Sequence, residues 1–224
     1  MKLTSEQKLA LRILAASKLV KLFYWTGGTL LSCHYLRHRY SEDLDFFSET
    51  EFSFEIISPY IQKLKEAAQF SDVDVKKIYD RWELLFTSSR STLRIEFVYY
   101  NHGKRTLEKR QLWHEVYVDS LRDIAANKTF ALIDRNEPKD LFDIYFIIHK
   151  INLSPEQLLD LVKKKFNVEL PLDLFWSEAH KSALLLKNLK PMLLGTEQKK
   201  KDLIQKIEAY VSSNSSTFLA KRIV

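Results

Sequence analysis

A chain of 224 residues with 46% hydrophobic content, and charges of both signs interspersed, is long enough for one large or two small domains and argues against disorder. Its single cysteine, Cys33, excludes an internal disulfide and a thiolate zinc site, and no run approaches the roughly 20 apolar residues of a membrane-spanning helix. The net charge of +6 leans toward the C-terminal third, where residues 151–224 carry 12 Lys and Arg against 8 Asp and Glu, a modest aid to holding a polyanion.

The opening segment lacks the apolar core of a signal peptide because Lys8, Arg12 and Lys18 interrupt it, so the expected compartment is the cytoplasm. Leu9, Ile13 and Ala16 recur at helical spacing behind Thr4 or Ser5, which predicts a helix over 5–20. Leu22-Phe23-Tyr24-Trp25 reads as a strand ending at Gly27-Gly28, and Leu30 to His38 resumes helical spacing. Asp43 to Phe47 predicts a second strand, and Ser58 to Ala68 a helix with Pro59 at its first position. Four β-rich runs follow, Val73 to Tyr79, Trp82 to Thr87, Thr92 to Tyr100 and Leu112 to Val118, with a reversal expected at Asn101-His102-Gly103-Lys104. Beyond Val118 the pattern turns helical, over Ser120 to Ile133, Pro138 to His149, Ser154 to Phe166, Ser177 to Lys187 and Thr196 to Tyr210. Ser212 to Thr217 reads as a solvated tail or loop.

Chemistry is concentrated in Thr26-Gly27-Gly28-Thr29 and Asp43-Leu44-Asp45. Glycines at a strand end let the backbone approach a phosphate, and a following helix offers unpaired N–H groups, with the Thr29 hydroxyl beside them. Alternate residues of a strand share a face, so Asp43 and Asp45 project together and can meet one cation, for which oxygen-only ligands favour Mg²⁺ or Mn²⁺. A third carboxylate is expected on a neighbouring strand. Glu96 is the choice, opposite Leu93, Ile95 and Phe97, with Asp72 and Asp74 as rivals. Arg39 and Ser41 read either as phosphate contacts or as an exposed arginine and a turn serine, while His34 and His38, four apart on an expected helix, are read as surface or packing residues rather than zinc ligands.

The run from Tyr24 to Thr29, the run from Tyr35 to Phe47, and Ser120 to Lys128 followed by Ala131, Arg135, Lys139, Asp140 and Asp143 closely resemble the AbiEii/AbiGii toxin family of nucleotidyltransferases. The resemblance implies an α+β fold, a polymerase-β-like nucleotidyltransferase domain with a mixed β-sheet followed by a C-terminal helical bundle, placed here at residues 1–118 and 119–224. It implies a metal-dependent enzyme that moves a nucleoside monophosphate from a nucleoside triphosphate (NTP) to an acceptor, RNA and specifically tRNA, as the toxin of a type IV toxin–antitoxin or abortive-infection system with a cognate antitoxin. Carried over by position, Lys128 would contact the triphosphate, and Asp140 or Asp143 would complete the site. A small-molecule, antibiotic-type nucleotidyltransferase and a GTP-binding regulator without transfer activity are the competing readings.

Overall fold

The computed structural model describes residues 2–101 and 106–222; the reversal expected at 101–104 falls largely outside them. The chain divides into two compact units, one of residues 1–37 and 41–120, the other of residues 38–40 and 121–224.

The first unit is built on a seven-stranded mixed sheet. Its strands are β1 (Tyr24–Thr26), β2 (Leu44–Ser48), β3 (Asp72–Ile78), β4 (Arg81–Thr87), β5 (Thr92–Tyr99), β6 (Gln111–Trp113) and β7 (Val116–Val118), in the order β3-β4-β5-β2-β1-β7-β6. The β2–β5 and β1–β7 pairs are parallel and the rest antiparallel. Alternation along β2 and β5 puts Leu44, Phe46, Leu93, Ile95 and Phe97 on one buried face. Helices α1 (Ser5–Ala15) and α3 (Phe54–Ala68) cover that face, with the Tyr60 ring edge-on to Phe97 and its hydroxyl donating to the Ala10 carbonyl at 3.2 Å. Thr4 closes a capping box with Gln7 at the start of α1.

Several boundaries differ from the sequence expectation for local reasons. Residues 18–21 form a 3₁₀ turn, so α1 is shorter and β1 starts later than expected. Pro59 lies inside α3, which starts at Phe54 behind Ser53. The expected single strand at 112–118 is a hairpin, because His114 and Glu115 both adopt positive φ, the backbone of a tight two-residue reversal. The helix after Gly27-Gly28, α2 (Gly27–Leu30), continues as a π-helical stretch over Leu31–Leu36 and stops at Arg37, which is left-handed at φ 55°. His38 therefore lies beyond the helix, and the i,i+4 face expected for His34 and His38 does not exist.

The second unit is helical: α4 (Leu121–Arg135), α5 (Pro138–Ile151), α6 (Pro155–Phe166), α7 (Leu172–Ala183), a 3₁₀ segment at Leu186–Met192 and α8 (Glu197–Arg222). Its core comprises Ile124, Leu132, Phe142, Ile147, Leu158, Val162, Phe175 and Ile207. Helix α7 begins five residues before the expected Ser177 because Pro171 caps it. Ser212 to Thr217 are helical rather than a tail. Ser215 and Thr217 donate their hydroxyls to carbonyls of the preceding turn, and Asn214 donates to Tyr210, so these polar side chains satisfy themselves within α8.

Candidate active site

The half-buried polar face of the sheet, opposite the apolar one, carries the carboxylates. Thr26, Asp45 and Glu96 stand in one register row on three adjacent strands: Thr26 is opposite Asp45, and Asp45 is beside Glu96 on the parallel β2–β5 pair. Neighbouring strands lie about 4.8 Å apart, so Asp45 and Glu96 project side by side. Asp43 sits just before β2, half exposed, with its Oδ1 3.9 Å from Arg94 Nε. On the far side of Glu96 the row continues to Glu83 on β4, and Arg81 bridges both, at 2.9 Å from Glu83 and 3.6 Å from Glu96. Burial pushes the Glu96 carboxyl above the usual carboxylate range; Arg81 opposes this, and the nearby Glu83 and Asp43 charges reinforce it.

Gly27 explains why the turn needs glycine. Its φ is +80°, and a Cβ built there would collide with Asp45 Oδ2, so only a bare backbone fits beside that carboxylate. Thr29 is fully buried and donates its hydroxyl to Ser41 Oγ at 3.0 Å, which ties the start of the helix to the segment leading into Asp43.

Whether these groups suit a divalent ion follows from their chemistry. All donors are carboxylate oxygens, which match a hard cation, and the space beside Asp45 is kept open by Gly27. Among the described residues no three His, Cys, Asp or Glu side chains are gathered closely enough to hold an ion unaided. Mg²⁺ commonly takes only one or two carboxylates and completes its shell with water and substrate phosphate, so the arrangement fits. Asp72 and Asp74, the rivals of Glu96, lie on the edge strand β3, with Asp74 paired to Lys76 at 2.9 Å.

The second constellation lies wholly within the helical unit. Asp143 is completely buried and accepts from His38 Nε2 at 2.7 Å, from Arg39 Nε at 2.7 Å and from Arg39 Nη2 at 2.8 Å. Lys128 Nζ is 2.8 Å from Asp140 Oδ1 and 2.9 Å from Asp143 Oδ2, and Arg135 also donates to Asp140. Lys128 and Arg135 reach one carboxylate because they lie seven apart on α4, two turns along one face. Burial works against these charges, but the partners win: the Arg39 and Lys128 cations hold the Asp143 carboxyl well below its usual range, and Asp143 with Asp140 raises the Lys128 ammonium. Burial keeps His38 below its ordinary value despite Asp143, so the neutral ring donates through Nε2.

Arg39 therefore differs from the expected phosphate contact. It is 1% exposed, its forked guanidinium is aligned with Asp143, and Nη1 donates to the Tyr40 carbonyl. The two lysine runs of the C-terminal third, Lys163 to Lys165 and Lys199 to Lys201, are unlike each other. Lys165 is buried against Asp123 at 2.8 Å, and Lys163 and Lys164 pair with Glu169 and Asp160, whereas Lys199 and Lys201 are exposed on α8. Arg81 and Glu83 were not legible as neighbours of Glu96, because that needs the β4–β5 register.

Among the described residues no helix is long and apolar enough to cross a membrane. An uncharacterised protein of Aquifex aeolicus is 30% identical over 174 residues, covering 74% of this chain and 76% of that protein. In fold, the chain is similar to JHP933 from Helicobacter pylori, at 19% identity and TM-score 0.58 over 99% of this chain and 100% of that one. It is likewise similar to a second H. pylori protein described as a candidate nucleotidyltransferase, at 16% identity and TM-score 0.59 over 95% and 94%. The model of the nucleotidyl transferase AbiEii toxin of type IV toxin–antitoxin systems matches residues 9–209. A match of that span makes the chain a member of the AbiEii toxin family of nucleotidyl transferases.

Proposed function

We propose that this toxin transfers a nucleoside monophosphate from an NTP to the end of an RNA, most plainly a tRNA, with Mg²⁺ or Mn²⁺ held by Asp43, Asp45 and Glu96 together with substrate phosphates. The observation that carries the reading is the row Thr26, Asp45, Glu96 with Gly27 pressed against Asp45. In the reaction an acceptor hydroxyl oxygen bonds to the α-phosphorus, the bond from that phosphorus to the bridging oxygen of pyrophosphate breaks, and the hydroxyl proton leaves to water. Gly27 and Gly28 let the backbone close on the pyrophosphate, with Thr29 and Ser41 holding the turn in shape. Asp43, Asp45 and Glu96 would hold the divalent ion, which when bound would supply charge neutralisation on the phosphates and make the attacking hydroxyl easier to deprotonate. Asp140 and Asp143 serve as positioning residues for Lys128, whose ammonium they hold within the helical unit. A cognate antitoxin completes the system.

Labelled NTPs with Mg²⁺ and total tRNA test the reading directly: label appearing on tRNA supports it. Label on a small hydroxyl compound, or NTP binding with no transfer, would favour the antibiotic-type or regulatory alternative.

For the third carboxylate, Glu96→Gln is expected to lower the transfer rate by roughly two orders of magnitude, a few kcal/mol of lost charge stabilisation. Asp72→Asn and Asp74→Asn should transfer at the wild-type rate. The reverse pattern would move the ligand to β3.

For the RNA, neutralising Lys199, Lys200 and Lys201 should weaken tRNA binding and flatten its log–log salt dependence by roughly 0.7 to 0.9 for each phosphate that the variant no longer neutralises. Equal salt slopes in variant and wild type would remove this cluster from the interface. The Lys163–Lys165 cluster is unsuitable for the test, because Lys165 holds Asp123 in the core.

A further inference from the structure

On the carboxylate face of the sheet, beyond Glu96, the β3–β4 turn and the end of β5 border an open cleft of about 390 Å³ lined by residues that include Tyr79, Arg81, Val98, Tyr99, Tyr100 and Asn101. Arg81 joins it to the catalytic row, since the same side chain lines the cleft and lies 3.6 Å from Glu96. Val98 is opposite Arg81 and two residues along β5 from Glu96, roughly 7 Å.

Tyr79 is the residue that stability alone does not account for. It occupies a turn position at φ 49°, where Gly, Asn or Asp is the easy choice, and its ring is 92% exposed. A bulky aromatic held in a disfavoured backbone conformation and pointed at water gains nothing from the fold, and such strain gathers at sites that act on ligands. A half-buried aromatic side chain adjoins the cleft, with Phe47 4.9 Å from Tyr100 between ring centres.

The direction of the chemistry selects the occupant. Phosphoryl transfer runs in line, with the attacking and leaving oxygens on opposite sides of the phosphorus. If pyrophosphate departs toward Gly27 and Gly28, which follow β1, the attacking hydroxyl arrives from the other side of β2, over β5 and β4. The cleft lies on that side of the sheet, further along toward the C-terminal end of β5.

We infer that this cleft receives the terminal nucleoside of a single-stranded RNA acceptor, stacking its base on Tyr79 and Tyr100 while Arg81 steers the adjoining phosphate and the terminal hydroxyl points back toward Glu96. The inference rests on the RNA reading of the site. Stacking on aromatic side chains suits this task because every base offers a ring face, so the contact holds an RNA end without demanding one sequence.

The test uses the whole protein with Mg²⁺, labelled NTP and total tRNA. Tyr79→Asn keeps a residue that tolerates positive φ, so the fold is retained, and Tyr79→Phe keeps the ring. The expected result is a KM for tRNA raised roughly 5- to 150-fold by Tyr79→Asn and unchanged by Tyr79→Phe, with NTP affinity equal in all three. A short oligoribonucleotide ending in 4-thiouridine should crosslink to the Tyr79 or Tyr100 peptide on irradiation. Unchanged KM in Tyr79→Asn, or crosslinks confined to other peptides, would overturn the cleft while leaving RNA transfer standing. Absence of transfer from wild type to any RNA would overturn the acceptor reading itself, and the cleft with it.

Discussion

Asp45→Ala is expected to abolish nucleotidyl transfer, and Gly27→Ala to do nearly the same without removing any functional group. The first deletes the carboxylate at the centre of the Thr26, Asp45, Glu96 row, and loss of several kcal/mol of charge stabilisation corresponds to roughly a thousandfold in rate. The second drives a methyl group into Asp45 Oδ2 at φ +80°, so either the carboxylate or the turn must move. An L-residue in the left-handed region adds about 1 kcal/mol of strain, small beside the displacement of the carboxylate. Both variants should melt within a few degrees of wild type, because Asp45 is half-buried on the polar face and the apolar face beneath it is unchanged. Initial rates with labelled NTP, paired with circular-dichroism melts, give the answer. A Gly27→Ala enzyme retaining more than a tenth of wild-type rate would mean that the close approach of backbone to Asp45 does not matter to the chemistry.

Asp143→Ala should give the largest loss of stability of any single substitution in the helical unit. It strips the carboxylate that accepts from Arg39, His38 and Lys128 at once. Breaking a buried ion pair by removing one partner costs about 3–5 kcal/mol. Asp143→Asn, which keeps the shape and loses the charge, should cost less. Thermal melts of the two variants check the order, and equal melting of Asp143→Ala and wild type would show that the cluster is not holding the unit together.

The same carboxylate sets an acid limit. Its folded-state value is depressed well below the ordinary one, so its contribution is fully present above the ordinary aspartate range, about pH 4, and is lost as pH falls through the depressed value. Lys128 has the opposite sign. Raised in the folded state, it contributes below the ordinary lysine value and loses that contribution only as pH rises through the raised one. Wild type should therefore resist unfolding down to about pH 4 and weaken below it, whereas Asp143→Asn should show a shallower acid dependence in chemical-denaturation midpoints measured from about pH 7 to about pH 3. Parallel acid profiles would assign the acid sensitivity to other carboxylates.

Much of the catalytic face was readable from local chemistry. The Gly-Gly turn, the Asp-x-Asp alternation and the period-two pattern of Leu93 to Phe97 each depend on residues a few positions apart, and strand geometry alone then places Asp45 and Glu96 on polar faces. Helix existence after Val118 was equally legible, since apolar residues at helical spacing must find a common core. Ser154 with Pro155 and Gln157 marked one helix start to the residue. What failed was local as well: positive φ at Arg37, His114 and Glu115 ended a helix and folded a strand into a hairpin, and none of these residues is the glycine that would have announced it.

Tertiary structure alone decided the partners. Nothing in the spacing of Arg39 from Asp143, more than a hundred residues apart, tells that they pair. As a result an arginine that reads as a phosphate contact is a core cation, and residues 38–40 join the helical unit although the chain around them belongs to the sheet. Lys165 reads as one of three solvated lysines until Asp123 is found beside it, and Arg81 acquires its place next to Glu96 only through strand register. The physical reason is common to all three. A side chain's charge and reach are properties of the residue, but whether water or a buried carboxylate receives that charge depends on which distant segment the fold brings against it.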